Sequence, residues 1–311
     1  MFGKCSKTTN PLVSVVIIVR NMQDTIGTCL KSIIKQNIPE SKYEIIVIDN
    51  NSTDKTREVA KQYPVKLLIE DKVGNFGGAR NRGVEVSNGE IIAFIDADCV
   101  AERDFLERIL TLHSSLPHVA GFGGATVNPY LKSKVARTIA YAQNGDWCAN
   151  APKRIVSYLP GCNSSYKKKI LVQIGMFPEG TASEDILLGE KMRSSRQIMF
   201  FDPALKVRHK FDTTLVKLAH KEERCGMAHF NMYSSNKRIS KIRLMGITFF
   251  SPLFLLGRCT RGFQRVILYS VAKQDAFILL PYLFYSGFHW TRGYLKQAFK
   301  VRRVQTVHGL L

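Results

Sequence analysis

The sequence predicts an α/β protein built on a mostly parallel sheet, and three observations predict it. Segments rich in Val and Ile alternate with segments whose apolar residues recur at helical spacing. The Val/Ile segments are apolar throughout instead of alternating with polar residues. Three of them end in charged or amide side chains: Arg20-Asn21, Asp49-Asn50 and Asp96-Ala97-Asp98. Uniformly apolar strands separated by helices are covered on both faces, which is the parallel arrangement. Sheets of that kind take ligands beyond the carboxyl ends of their strands.

The elements follow in order. Residues 13–20 form an apolar, β-branched strand, and residues 23–36 carry Ile26, Leu30, Ile33 and Ile34 at helical spacing. Tyr43–Asp49 (YEIIVID) reads as a second strand. Ser52 and Thr53 are natural caps for a helix over 54–62. Val65–Glu70 is a third strand, Phe76–Ser87 a helix with a Gly-rich start, Glu90–Asp96 (EIIAFID) a fourth strand and Glu102–Ser115 another helix. After about residue 120 the alternation fades; Gly121–Pro129, Gly161–Tyr166, Ile198–Asp202 and Leu205–Val207 read as further strands or loops among helices.

The 311 residues allow one large domain or two ordinary ones. A hydrophobic content of 45% with 23% charged residues excludes an intrinsically disordered chain. The seven cysteines are scattered without a CxxC pair, which excludes a zinc ribbon or a disulfide framework, and their odd number suits a reducing compartment. Lys4 and Lys7 ahead of Leu12–Val19 imitate a signal peptide. The run is short, lacks a small-residue cleavage site and leads into a strand–helix pattern, so it reads as a buried strand.

The net charge of +20 is concentrated late: from Lys206 onward there are 19 Lys/Arg against 4 Asp/Glu. These cations punctuate apolar runs, Leu244–Gly257, Val266–Val271 and Ala276–Trp290, and none reaches the ~18 charge-free residues of a plain spanning helix. Apolar, aromatic faces edged by Lys and Arg describe interfacial or re-entrant helices on an anionic membrane. Nucleic-acid readers would place cations and aromatics together on a polar surface, so nucleic acid is not the expected partner. The expected division is a catalytic domain over 1–238 and a basic, apolar helical segment over 239–311.

Four motifs carry chemistry. Asp96 and Asp98, two apart at the end of a buried strand, can project together and hold a divalent cation on phosphate oxygens. Gly74–Gly83 (GNFGGARNRG) opens a helix, where glycine lets backbone approach a ligand and the N-terminus favours phosphate; Arg80 and Arg82 are placed to neutralise a diphosphate. Ser183 can cap a helix whose first turn holds Glu184 and Asp185. His209, after a short strand, can complete a metal site.

In this order, PLVSVVIIVRN, EIIVIDNNSTDKT, GNFGGARNRG, GEIIAFIDADC, PGCNSSYKKKIL and SEDILLGEKMR resemble the motifs of the family 2 glycosyltransferases of GT-A fold, over about 11–125 and again through 155–210. The resemblance implies an inverting transfer of a sugar from a nucleotide-diphosphate donor, with Mg or Mn. By matching motif, Asp49 and Asn50 lie where the family contacts the nucleotide base, and Arg20, beside Asn21, stands where some members place an aromatic over it. Gly78 and Arg80 face the donor, Asp96 the ribose and metal, and Asp98 is the principal metal ligand. Asp185 matches the catalytic base with Glu184 beside it. Gly161, Cys162 and Asn163 match the segment near the sugar and acceptor, and His209 matches a position that serves metal or diphosphate in some members. A lipid-linked glycan or surface polysaccharide is the expected acceptor, at the cytoplasmic face of the membrane. The rival readings are a sugar-1-phosphate nucleotidyltransferase, which would need a Gly-rich basic loop after the first strand, and a silent membrane scaffold that keeps the fold.

Overall fold

The computed structural model describes residues 11–308 apart from 143, 182, 235–240, 271 and 273. Cα packing divides the chain into two compact units, one of residues 1–126 and 152–209 and the other of 127–151 and 210–311. The boundary expected between 238 and 239 falls outside the described residues.

The first unit begins with β1 (Val13–Val19), α1 (Ile26–Ile34), β2 (Tyr43–Asp49), α2 (Thr56–Ala60), β3 (Lys66–Ile69), α3 (Phe76–Glu85) and β4 (Ile91–Ile95). These four strands are parallel neighbours in the order β3-β2-β1-β4. Next come β5 (Cys99–Ala101), α4 (Phe105–Ser115) and β6 (Val119–Val127). Between β6 and β7 (Arg154–Ile155) lies α5 (Lys134–Ala142), which belongs to the second unit. The first unit closes with β8 (Asn163–Lys167), α6 (Lys168–Gln173), α7 (Glu184–Ser194) and β9 (Ile198–His209). Beyond β4 the sheet continues as β8-β6-β9-β5, with antiparallel pairing of β8 on β4, β6 on β8 and β5 on β9.

Alternation along β1 builds the core. Val13, Val15, Ile17 and Val19 pack with Ile26, Leu30 and Ile33 of α1 and with Phe105, Leu106 and Ile109 of α4. Val16, from the other face, packs with Ala79 and Val84 of α3 and Leu188 and Met192 of α7. Helices on both faces explain why β1 and β2 carry apolar residues on both sides of the sheet. Two expected caps fail. The Ser52 hydroxyl accepts from the Asn21 N–H (3.0 Å), and the Thr53 N–H donates to Asn21 Oδ1 (2.8 Å), so these residues stitch the loops after β1 and β2 while α2 starts later, at Thr56. Ser183 occupies the N-cap position of α7 without a side-chain cap bond. The two pieces expected at 198–202 and 205–207 are one twelve-residue strand that continues through Pro203.

The second unit adds α8 (Leu215–Ser234), α9 (Lys241–Phe249), α10 (Ser251–Tyr269), α11 (Asp275–Ile278) and α12 (Leu280–His308). Helices α8 and α12 touch backbone to backbone: a Cβ at Gly226 would lie 2.0 Å from the Trp290 carbonyl oxygen, and one at Gly293 would lie 2.1 Å from that of Glu223. The fully buried Glu222 accepts from Arg258 (2.9 Å) and from the Ser286 hydroxyl. A buried carboxylate is tolerated when it is paired and hydrogen-bonded in this way.

Candidate active site

The expected site residues lie in the first unit, and burial sorts them into two sets. Asp49, Asn50, Gly78, Arg80, Asn163 and Glu184 are buried. Arg20, Asn21, Asp96, Asp98, Asp185 and His209 are partly or wholly exposed.

At the ends of β1 and β2 the polar groups are spent on one another. Asp49, fully buried, accepts from the Ser52 N–H (2.8 Å) and pairs with the Arg57 guanidinium. Asn50 donates through Nδ2 to the Lys72 carbonyl (2.9 Å) and accepts at Oδ1 from the Gly74 N–H (2.8 Å), which fixes the loop after β3. Asn21 takes a positive φ of 53°, a conformation Asn tolerates better than most residues.

Three further expected site residues make packing contacts. The Gly78 N–H, expected to face a donor, donates to the Asn75 side chain (3.1 Å), which caps α3. Neighbouring Gly77 lies against segment 178–179, where a Cβ would meet the Pro178 carbonyl oxygen at 2.0 Å. These glycines serve close packing of a helix start. Asn163, fully buried, donates to the carbonyls of Ala125 (3.1 Å) and Leu205 (3.0 Å) and so braces β6 and β9. Arg80, expected as an open cation for diphosphate, is ion-paired with Glu184, with both side chains at most 10% exposed. Its guanidinium also lies over the Phe177 ring, 5.5 Å from the centroid, and a Cβ at Gly161 would come within 2.4 Å of its Nη2.

Of the partly exposed set, Asp96, Asp98 and His209 form possible ligand groups near the end of β4. Asp98 Oδ1 lies 3.6 Å from His209 Nε2. Donor atoms of Asp98, Cys99 and His209 fall within 4.8 Å of one another, as do those of Asp96, Cys162 and His209. Two carboxylates and an imidazole are a donor set that fits a divalent cation. The carboxylate of Asp49 does not join this cluster among the described residues. Asp185, in the first turn of α7, accepts from the Ile186 N–H (2.8 Å). Burial, then the neighbouring Glu184 carboxylate, pushes its carboxyl up to about 6. Arg80 feels the charges of Glu184, Asp96 and Asp185, which places the α7 acids and the β4 end in one electrostatic neighbourhood. Arg57, Cys99 and the Arg80–Glu184 pairing were not anticipated; the acid at the end of β2 and the arginine of the Gly-rich run were the only hints.

The sequence profile described as Glycosyl transferase family 2 matches residues 14–175. Over 105 residues the chain is 44% identical to Glycosyltransferase AglE of Haloferax volcanii, an alignment covering 32% of this chain and 34% of that protein. Over 245 residues it is 22% identical to Beta-monoglucosyldiacylglycerol synthase of Synechocystis, covering 74% of this chain and 50% of the other. The matched segments thus span between a third and a half of these relatives. Among solved structures, the mannosyltransferase PcManGT from Pyrobaculum calidifontis, in complex with GDP-Man and Mn2+, superposes with a TM-score of 0.57 at 18% identity, over 95% of this chain and 88% of that one, a likeness of fold.

Proposed function

This chain belongs to glycosyl transferase family 2, and on that premise we propose that it is an inverting glycosyltransferase. It moves a sugar from a nucleotide-diphosphate donor to a hydroxyl of a lipid-linked or polysaccharide acceptor. The observation that supports this most directly is that Asp96 and Asp98, at the end of β4, each form a possible metal-ligand group with His209.

In this reading the nucleotide lies over the ends of β1 and β2. Asp49 and Asn50 form its rigid floor, and the partly exposed Arg20 offers a guanidinium to the base. Asp98 and His209, with Asp96, would hold a divalent cation, Mg or Mn, which would supply positive charge toward a diphosphate. Asp185 accepts the proton of the attacking hydroxyl, and attack opposite the leaving group inverts the anomeric carbon. A base with a carboxyl near 6 is ionised at neutral pH and more proton-hungry than an ordinary aspartate. Arg80 positions Glu184 and thereby the first turn of α7.

The membrane placement rests on the surface of the second unit. Ile242, Met245, Phe249, Phe250, Leu253 and Leu256 are exposed on α9 and α10, with Arg243 and Arg261 on the same helices. Among the described residues no single helix is long and apolar enough to cross a membrane; α9 and α10, bent by 44°, pass that test only together. An apolar, basic surface of this kind suits the cytoplasmic face of a membrane, where lipid-linked acceptors are presented.

The test is a screen of nucleotide sugars for thermal stabilisation with and without Mn2+. One donor is expected to raise the melting temperature in a metal-dependent manner, and to be consumed when acceptor lipids are added. Metal-independent binding, or no donor at all, would remove the proposal. Failure of the full chain to float with anionic liposomes would remove the membrane placement.

A further inference from the structure

The metal end of this site contains sulfur, which the proposed transfer does not need. Cys99 opens β5 and His209 closes β9, and antiparallel pairing sets these two residues opposite each other, so their side chains leave the sheet on the same side. Cys99 is fully buried and Cys162 is 9% exposed, and the Cys99 thiol lies 4.0 Å from Asp98 Oδ1. Each thiol joins His209 and one carboxylate in a triplet whose donor atoms lie within 4.8 Å: Cys99 with Asp98, Cys162 with Asp96. The two triplets share His209, each adding one carboxylate and one thiol to it.

Hard cations take oxygen ligands, whereas Zn2+ is held by thiolate and imidazole in a tetrahedral shell. We propose that Cys99 and Cys162 give this centre a second, soft-metal binding mode. In it, Zn2+ sits on His209, one aspartate and the sulfur of the same triplet, in competition with the hard cation on oxygen. No redox change is involved; the thiol releases its proton to solvent as its sulfur bonds the metal. The inference rests on the proposed transfer only for its consequence, that zinc displaces the hard cation and inhibits.

The experiment uses the full chain without nucleotide sugar and titrates Co2+ as a spectroscopic substitute for Zn2+. A thiolate-to-Co2+ charge-transfer band in the near ultraviolet is expected, and it is lost in the Cys99→Ser, Cys162→Ser double variant. The single variant that removes the bound sulfur lowers Zn2+ affinity, measured against a chromophoric chelator, by at least the ~10-fold that removing a mere outer-shell partner costs. Mn2+ binding followed by electron paramagnetic resonance persists in the double variant, which reports that the fold and the oxygen ligands survive. Should serine disturb the buried position 99, the corresponding alanine pair repeats the test.

Co2+ binding without the band, or a band that survives in the double variant, overturns the inference. A band in a chain that transfers no sugar would refute the function proposed above and leave the thiol site standing. Transfer without the band would do the reverse.

Discussion

Asp49 at the end of β2 and Asp185 at the start of α7 are both aspartates withdrawn from bulk water, yet the molecule treats them oppositely. Asp49 has a backbone N–H and a guanidinium on its carboxylate and is fully buried. Asp185 is partly exposed, accepts from one backbone N–H and sits beside another carboxylate, so burial and repulsion raise its proton affinity. The difference lies in the neighbours: a satisfied carboxylate becomes architecture, and an under-satisfied one becomes a base.

Substitutions can break or sharpen that contrast. Replacing Asp185 by Asn should have the largest effect, a fall in kcat of ~10² to 10⁴ with donor affinity kept, measured by steady-state kinetics and donor titration. Since the change also removes a raised carboxyl beside Glu184, the melting temperature should not drop. Arg80→Met should come next, costing about 3–5 kcal/mol in urea unfolding because it leaves Glu184 buried and unpaired. Adding Glu184→Gln should recover part of that loss, and additive losses would show that the pair is not a unit. Asp49→Asn should cost less, about 1–2 kcal/mol, because Arg57 is 31% exposed and can turn to water. Its signature should be weakened nucleotide binding with kcat at saturation kept. The smallest effect concerns pH. A base works only when ionised, so kcat should fall as pH drops below about 6, and the Glu184→Gln change should move that inflection lower by deleting the repulsion. An inflection that stays in place would mean that another group governs the profile.

How much of this was legible depended on whether burial is written in apolar residues. Tyr43–Asp49 could be delimited to the residue, since its apolar residues pack into the cores on both faces of the sheet. β8 could not, because Asn163, Ser164 and Ser165 are polar and yet buried at the junction with β4 and β6. β9 looked like two pieces because Asp202-Pro203 interrupts its pattern; Asp202 accepts from the Ala204 N–H (2.9 Å), a local bond that carries the strand past the proline. Within the site, Asp96, Asp98 and Asp185 stand out in sequence because acids at strand ends and helix starts are conspicuous. The pairing of Arg80 with Glu184 joins residues 104 positions apart. The meeting of Cys99 with His209 depends on strand register, and neither is written in local pattern.

The fit of Gly161 beneath Arg80 has a practical side. Any side chain there would push into a guanidinium already committed to Glu184 and Phe177, so position 161 offers little to anyone wishing to retune which sugar is accepted. Substitutions are better tolerated on the loop carrying Met22, whose side chain is exposed.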